Sequence, residues 1–409
     1  MSAQPEQPGA VQPAEAGSLG PGQQGVPGLE AARRARAWLS RAVEPGHALM
    51  YRYVESVGAK EAMRALRGAR APAELQALVG ARHDDDRVAA DLAAATSIGA
   101  RLLAPGDPEW PVDSLHAMTV ATAMGVEAIA APLALWVRGN GDLANLTRRA
   151  VAVVGARAST SYGAEQAGQL GFDLAERGWT VVSGGAFGID AAAHRGALSA
   201  GAPTIAVLAG GIDRSYPAAH AALFERIAQD GLLVSEWPPG CAPYRHRFLI
   251  RNRLIAALSA GCVVVEASAR SGARHTAGRA QELGRPVMAF PGPVTSAMSV
   301  GTHTLLRDTE ARLVTGVEHV IEEIGQLGVD LAPLVRGPDT ARDALTAVQA
   351  RTLEALPNRR PVLPEHIARA AGLSVLEVLS ALPALETRGF VESIDGAWRL
   401  VRLGRPQGP

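Results

Sequence analysis

The chain has 409 residues, room for two or three domains, and nearly half of them are apolar, so it can bury a substantial core. Its 40 basic and 40 acidic side chains cancel, which excludes attraction of the whole surface to a polyanion and requires any nucleic-acid contact to come from a local patch. Cys241 and Cys262 form no CxxC pair, the histidines form no HExxH, and neither a basic-then-apolar leader nor an uncharged membrane span is present; we expect a soluble, cytoplasmic protein without structural disulfide, metal, cofactor or membrane partner.

Residues 1–28 are rich in Pro, Gly, Gln and Ala and are expected to stay disordered. From Leu29 to Ala104, apolar residues such as Trp38, Leu39, Tyr53, Leu66 and Leu75 recur at helical spacings, with Gly58, Gly68 and Gly80 as breaks. The pattern predicts a small SAM-like or helical-hairpin-like domain of four or five short helices. The Gly-x-Gly signal of a DNA-binding hairpin is missing, so a plain structural domain fits as well. Between Arg101 and Asp142 two short strands are expected to flank proline turns.

From Arg149 the alternation becomes regular. VAVVGA, TVVSGG, TIAVLAGG, LLVSEW, CVVVEA and PVMAFPG are six β-rich runs separated mostly by helices, over Ser161–Arg177, Ile189–Ser199 and Ala218–Gln229 among others. This is the pattern of an α/β domain over residues 105–326, an extended Rossmann-like, doubly wound and mostly parallel sheet. Residues 327–340 read as linker. Residues 341–403 give three helices and a hairpin turning near Asp395-Gly396, the order of a winged helix. Its recognition helix, Ser374 to Arg388, carries Glu377, Glu386 and Pro383 but no base near its start. It is poorly equipped to read a duplex, and contact with a protein suits it at least as well.

Two glycine turns stand at the carboxyl ends of the first two parallel strands. Gly155-Ala156-Arg157-Ala158-Ser159 brings a ligand close to the backbone, leads into a helix start with free N–H groups, and places Arg157 within reach of a phosphate. Ser183-Gly184-Gly185-Ala186-Phe187-Gly188-Ile189-Asp190 follows the second strand, with Asp190 able to cap a helix. One such turn is common in any βα unit; two on one sheet edge point to a phosphate site. His194 lies one helical turn after Asp190, but no nucleophile or second carboxylate completes a catalytic set, and it reads as a buried structural histidine. Tyr216, in a third glycine turn, can stack on a base or close its own turn.

Tyr244 to Arg279 concentrates the charge: a run of arginines against one acid, Glu266. A helix over Phe248 to Ser259 is expected to bury Ile250, Leu254, Ala257 and Leu258. Arg247 and Arg251 then share a face one turn apart, while Arg253 is rotated from Arg251 by about 200°. Arg251 is assigned to DNA, and Arg253 to bracing a loop or a carboxylate such as Glu236. Ser271-Gly272 opens a further helix whose N-terminal amides suit an anion, with Arg274 beside it.

The motifs VAVVGARASTSYG, VSGGAFGIDAAAHRGAL, TIAVLAGGIDRSYP, LLVSEWPPG, RNRLIAALS, VVVEASARSG and FPGPVTSAMSVGTHTLL, in that order from about Pro105 to Ile324, resemble those of the DNA-processing protein A (DprA, or Smf) family. The resemblance implies a bacterial cytosolic protein that dimerises, binds and protects single-stranded DNA, and hands it to the RecA recombinase during natural transformation or recombination. Carried over motif by motif, the strand-holding pocket comprises Gly155, Arg157, Ser183, Gly184, Gly188, Asp190, Arg251, Asn252 and Arg253. The chain departs from the family where His246-Arg247-Phe248-Leu249-Ile250 precedes RNR without the usual proline, and where Ser271-Gly272-Ala273-Arg274-His275-Thr276-Ala277 replaces SGSLITA. The reading is a mediator and not an enzyme. The rival is a nucleotide-processing enzyme of the lysine-decarboxylase-like Rossmann group, which needs a catalytic carboxylate in a PGGxGT-type turn where this chain has Ser-Gly.

Overall fold

In a computed structural model of the chain, residues 27–325, 330, 341–357 and 360–401 are described. The expected tail up to residue 26 and most of the expected linker lie outside them. The chain divides into two compact units between residues 332 and 333.

The first unit opens with five helices: α1 (Pro27–Ala42), α2 (Ala48–Val57), α3 (Ala59–Arg67), α4 (Ala73–Val79) and α5 (Val88–Ser97). Their apolar stripes, including Trp38, Leu39, Met50, Leu66 and Leu75, close on a core that also takes in Trp136, Leu208 and Leu233 of the neighbouring sheet. The helices therefore share a core with that sheet. β1 (Ala100–Leu103) and β2 (Leu135–Arg138) are the two short strands expected here, paired antiparallel. Between them the sequence reading missed a twelve-residue helix, α6 (Val112–Ala123). Pro108 and Pro111 suggested only turns, but Pro111 stands at the helix start, where a missing N–H costs nothing.

After α7 (Leu143–Thr147) the elements alternate: β3 (Ala150–Val154), α8 (Ser161–Glu176), β4 (Thr180–Ser183), α9 (Ile189–Ser199), β5 (Thr204–Val207), α10 (Ala221–Asp230), β6 (Leu232–Ser235), α11 (Arg245–Ala257), β7 (Gly261–Val264), α12 (Gly272–Glu282), β8 (Val287–Ala289), α13 (Val300–Asp308), β9 (Arg312–Leu313) and α14 (Val317–Ile324). The sheet order is β1-β2-β6-β5-β4-β3-β7-β8-β9, antiparallel through β1, β2 and β6 and parallel elsewhere. Strands β3 to β8 are buried on both faces, which is why they appear in the sequence as unbroken apolar runs. From β3 the chain winds outward through β4, β5 and β6, then returns to β7 on the other side of β3. The order thus reverses between β3 and β7, where open α/β sheets leave a crevice at the carboxyl ends of the strands. The fold is the doubly wound, mostly parallel sheet that the sequence predicts.

Helix α11 departs from expectation. It starts three residues earlier, at Arg245, and residues 251–257 are all buried. No flank of its second half faces solvent, because sheet, α6 and α12 pack around it. Ile250, expected in the core stripe, is only partly buried, while Ile255 is in the core.

The second unit is a winged helix: α15 (Ala347–Glu354), α16 (Pro364–Ala371), α17 (Val375–Thr387), and the hairpin β10 (Val391–Ile394) and β11 (Ala397–Leu400). Thr346 with Gln349 and Ser374 with Glu377 form capping boxes at the starts of α15 and α17. Asp395 and Gly396 both have positive φ, 51° and 81°, as a two-residue hairpin requires. Ile367, Val378, Leu382 and Leu385 make its core. No single helix among the described residues is long and apolar enough to cross a membrane.

Candidate nucleic-acid interface

A cleft of about 770 Å³ opens at the carboxyl ends of β3 and β7, where the strand order reverses. Its walls are the turn after β3 (Gly155, Arg157), Asp190 at the start of α9, Tyr216, one side of α11 (Phe248, Arg251, Asn252) and the turn from Ser268 to Ala273. Four arginines line it, Arg157, Arg245, Arg251 and Arg270, against one carboxylate, Asp190.

Arg251 lies at the floor. It is 4% exposed, and its Nε and Nη1 have no hydrogen-bond partner among the described residues. Burial pulls the guanidinium down to about 10; nearby Asp190 pulls it back up and Arg157 adds to the fall, so it stays charged at neutral pH. Gly184 makes room opposite: a Cβ there would overlap that guanidinium and displace it from its present position. A desolvated cation with two enclosed, unpartnered nitrogens is costly, and a negative charge brought to the mouth of the cleft would favour it electrostatically.

Asp190 does not neutralise it by a hydrogen bond. Its Oδ2 accepts from the amides of Gly184 at 3.2 Å and Ala186 at 3.3 Å, cinching the glycine loop. Burial pushes its carboxyl up, while Arg251 and those two amides pull it down. His194, on the same helix, is fully buried, with Nδ1 2.8 Å from the Thr204 hydroxyl. Burial depresses it to about 3, so it is neutral and structural, as the sequence suggests.

The start of α8 is not available to a phosphate, contrary to the expectation from sequence. The buried Glu266 carboxylate already stands there, accepting from the Thr160 amide at 2.9 Å and the Thr160 hydroxyl at 2.6 Å. Gly163 leaves the space this carboxylate fills. The anion-binding capacity of the cleft is therefore carried by side chains more than by that helix terminus. The Glu266 carboxylate is engaged in capping at that terminus.

Aromatic rings face the same opening. Tyr216 is half exposed and stands 5.4 Å from Phe248, ring centre to ring centre, tilted by 57°. Arg157 is exposed, with its guanidinium carbon 5.2 Å from the Phe248 ring centre. Two rings beside two guanidinium groups offer what a single strand presents: flat bases and charged phosphates.

Of the residues singled out from sequence, Gly155, Arg157, Asp190, Arg251, Asn252, Ser271 and Gly272 line the cleft. Ser183 is buried and donates to the Val153 carbonyl at 2.6 Å, tying β4 to β3. Gly188 sets the entry to α9, with the Ile189 amide donating to the Ala156 carbonyl at 3.2 Å. Ser159 is partly buried outside the lining, and Arg274 turns back to the Ala269 carbonyl at 2.8 Å. Arg253 is fully buried, with Nη2 2.6 Å from Glu236 Oε1. Arg247 is not beside Arg251 in the cleft: it forks onto Glu44, at 3.1 and 2.5 Å, and donates to the Ala242 carbonyl at 2.9 Å. Burial alone would raise Glu44, but Arg247 and the Trp237 indole hold it below its ordinary value. Sequence reasoning passed over Phe248, Arg245 and Arg270 as site residues; the signal was their place in the basic stretch beside Arg251 and Ser271. Among the described residues no group of three His, Cys, Asp or Glu side chains is placed to hold a metal ion.

Residues 101–325 match the family model described as DNA recombination-mediator protein A, and residues 336–397 match the DprA winged helix domain. The chain belongs to the DNA recombination-mediator protein A family. A putative DNA processing protein DprA of Mycobacterium tuberculosis (strain H37Rv) is 47% identical over 379 residues, 93% of this chain and 97% of that one. Protein Smf of Escherichia coli (strain K12) is 39% identical over 281 residues, 67% of this chain and 72% of Smf. The crystal structure of DprA from Streptococcus pneumoniae superposes with a TM-score of 0.57 at 30% identity, covering 73% of this chain and 97% of that one. Membership of the DprA family gives the chain a role in DNA processing.

Proposed function

We propose that the cleft holds single-stranded DNA, its phosphates on Arg251 and Arg157 and its bases against Phe248 and Tyr216. In this reading the chain acts as a cytoplasmic homodimer that protects the strand and loads RecA recombinase onto it during recombination or transformation, without catalysing a reaction. The observation that carries it is the buried Arg251 guanidinium, without a hydrogen-bond partner on two of its nitrogens, at the floor of an arginine-rich cleft. The half-exposed Tyr216 ring and the partly buried Phe248 ring beside it favour a strand with unpaired bases over a duplex, whose bases are stacked on each other. The reading without catalysis rests on the make-up of the cleft, whose lining offers, among the described residues, one carboxylate, Asp190, and no histidine or cysteine to complete a catalytic set with it. The winged helix adds no evident hold on a phosphate through α17, whose exposed Val375, Leu376 and Leu379 are apolar.

Titration of labelled single- and double-stranded oligonucleotides tests the reading, with a nucleotide-hydrolysis screen alongside. Preference for the single strand, with log affinity falling against log salt by about 0.7 per phosphate neutralised, supports it. Preference for duplex, or turnover of a nucleotide, sinks it. RecA loading is tested separately, by whether the protein accelerates recombinase assembly on a single strand.

A further inference from the structure

At the opposite end of the strands, beside the amino ends of β3, β7 and β8, lies a second cleft of about 390 Å³. Arg148 precedes β3, Ser259 and Ala260 precede β7, and Arg285 precedes β8, so the sheet sets them in a row along its lower edge. Arg285 is partly buried. Its Nη2 donates to the Ser114 carbonyl at 3.3 Å, and its Nε is buried with no partner among the described residues. Burial pulls its pKa below the ordinary arginine value, and no carboxylate counters that pull. Arg148, beside it, is exposed. Arg149 follows and lies over the Trp179 ring at 4.9 Å, on the wall of a neighbouring hollow of about 340 Å³ that Arg148 also lines. The one acid on either wall is the exposed Asp113, and among the described residues it makes no ion pair with these arginines.

Three guanidinium groups that have no carboxylate partner among the described residues are equipped for phosphate. Trp110 and Trp179, the aromatic residues here, are only 8% and 5% exposed, so no ring face is free for a base. A ligand held here would be recognised by its charge and not by its sequence. Along β3, five residues long, the two edges of the sheet are only about 17 Å apart.

We propose that Arg148, Arg149 and Arg285 form a second contact for the phosphodiester backbone of a single strand, reached when a strand longer than the first cleft turns over the edge of the sheet. This rests on the reading that the first cleft holds single-stranded DNA. The test is a fluorescence-anisotropy titration of two oligothymidines, one just filling the first cleft and one several times longer. Parent, an Arg148→Gln/Arg285→Gln double variant and Arg285→Lys are compared across a salt series. The expected result is that the double variant matches the parent on the short oligomer. On the long one it should bind several-fold more weakly, with a log–log salt slope shallower by about 1.4, two contacts at about 0.7 each. Arg285→Lys, which keeps the charge, should retain the parental slope. If the parent binds both lengths and the double variant follows it on both, the second contact does not exist. If the parent fails to bind even the short oligomer, the first reading falls, and this one with it. Thermal melts accompany the titrations; should Arg285→Gln melt early, Arg148→Gln alone, at an exposed position, carries the same comparison with a slope change of about 0.7.

Discussion

Arg251 and Arg253 are two residues apart on one helix, both buried, yet they should fail in opposite ways when truncated. Arg253 is fully buried and its Nη2 lies 2.6 Å from Glu236, itself 3% exposed. Arg253→Ala strands that carboxylate in the core, which costs about 3–5 kcal/mol. At about 2.1 cal/mol/K of unfolding entropy per residue, a unit of roughly 300 residues shifts by about 1.6 °C per kcal/mol, so the melting temperature should drop by roughly 5–8 °C. The loss should also depend on pH. Burial already pushes the Glu236 carboxyl up, and Arg253 opposes that push. In the variant nothing opposes it, so its folded pKa lies well above its unfolded one. The penalty is then small below the ordinary carboxylate range and grows as pH rises towards the folded pKa. Arg251 also faces a buried carboxylate, Asp190, but makes no ion pair with it, and Asp190 keeps the amides of Gly184 and Ala186, so Arg251→Ala should melt closer to the parent than Arg253→Ala does. It should instead lose a charge-assisted phosphate contact worth about 1.5–3 kcal/mol, roughly a 10- to 150-fold drop in affinity. Differential scanning fluorimetry from acid to neutral pH and anisotropy titrations with a single-stranded oligonucleotide read both axes. If Arg253→Ala melts like the parent, or Arg251→Ala binds like it, the division of labour drawn from their surroundings is wrong.

Arg157→Ala should weaken single-strand binding by about 1.5–3 kcal/mol at matched salt without lowering the melting temperature, since Arg157 is exposed and fills no core position. Equal affinity for variant and parent removes Arg157 from the site. His194, depressed to about 3, stabilises the fold above its unfolded value of 6.5, and that contribution is lost as pH falls between those values. His194→Gln should flatten the parent's acid-side melting curve in that window, and an unchanged pH dependence would assign the decline to other groups. Removing residues 341–409 should leave single-strand affinity largely intact, because the exposed side of α17 offers leucine and valine and not arginine. A large drop with the remaining unit still folded would give the winged helix a part in holding the strand.

The parallel strands were legible because burial on both faces forces continuous apolar runs, and α9 because its glycine turn fixes where it begins. The partner of Arg253 was legible too: helical geometry separates it from Arg251, and Glu236 stands just past the end of β6. What escaped depends on residues distant in sequence. Arg247 was grouped with Arg251 from helical spacing, but its carboxylate, Glu44, is 203 positions away. Glu266 was read as part of the CVVVEA strand, but it lies two residues past the end of β7, and its task at the start of α8 depends on Thr160, 106 positions earlier. The burial of α11 on nearly every side could not be read from a stripe, because its core face includes arginines whose partners lie on other elements. Pro108 and Pro111 hid α6 because proline marks both a turn and a helix start.

The most direct test of a single-strand site at the β3–β7 cleft is the salt dependence of binding, measured in parallel for parent and Arg251→Ala on a single-stranded oligonucleotide and its duplex. The expected result is tighter binding to the single strand and a slope shallower by about 0.7 in the variant, one phosphate contact fewer. A flat response in the parent, identical slopes for the two proteins, or preference for the duplex would contradict it.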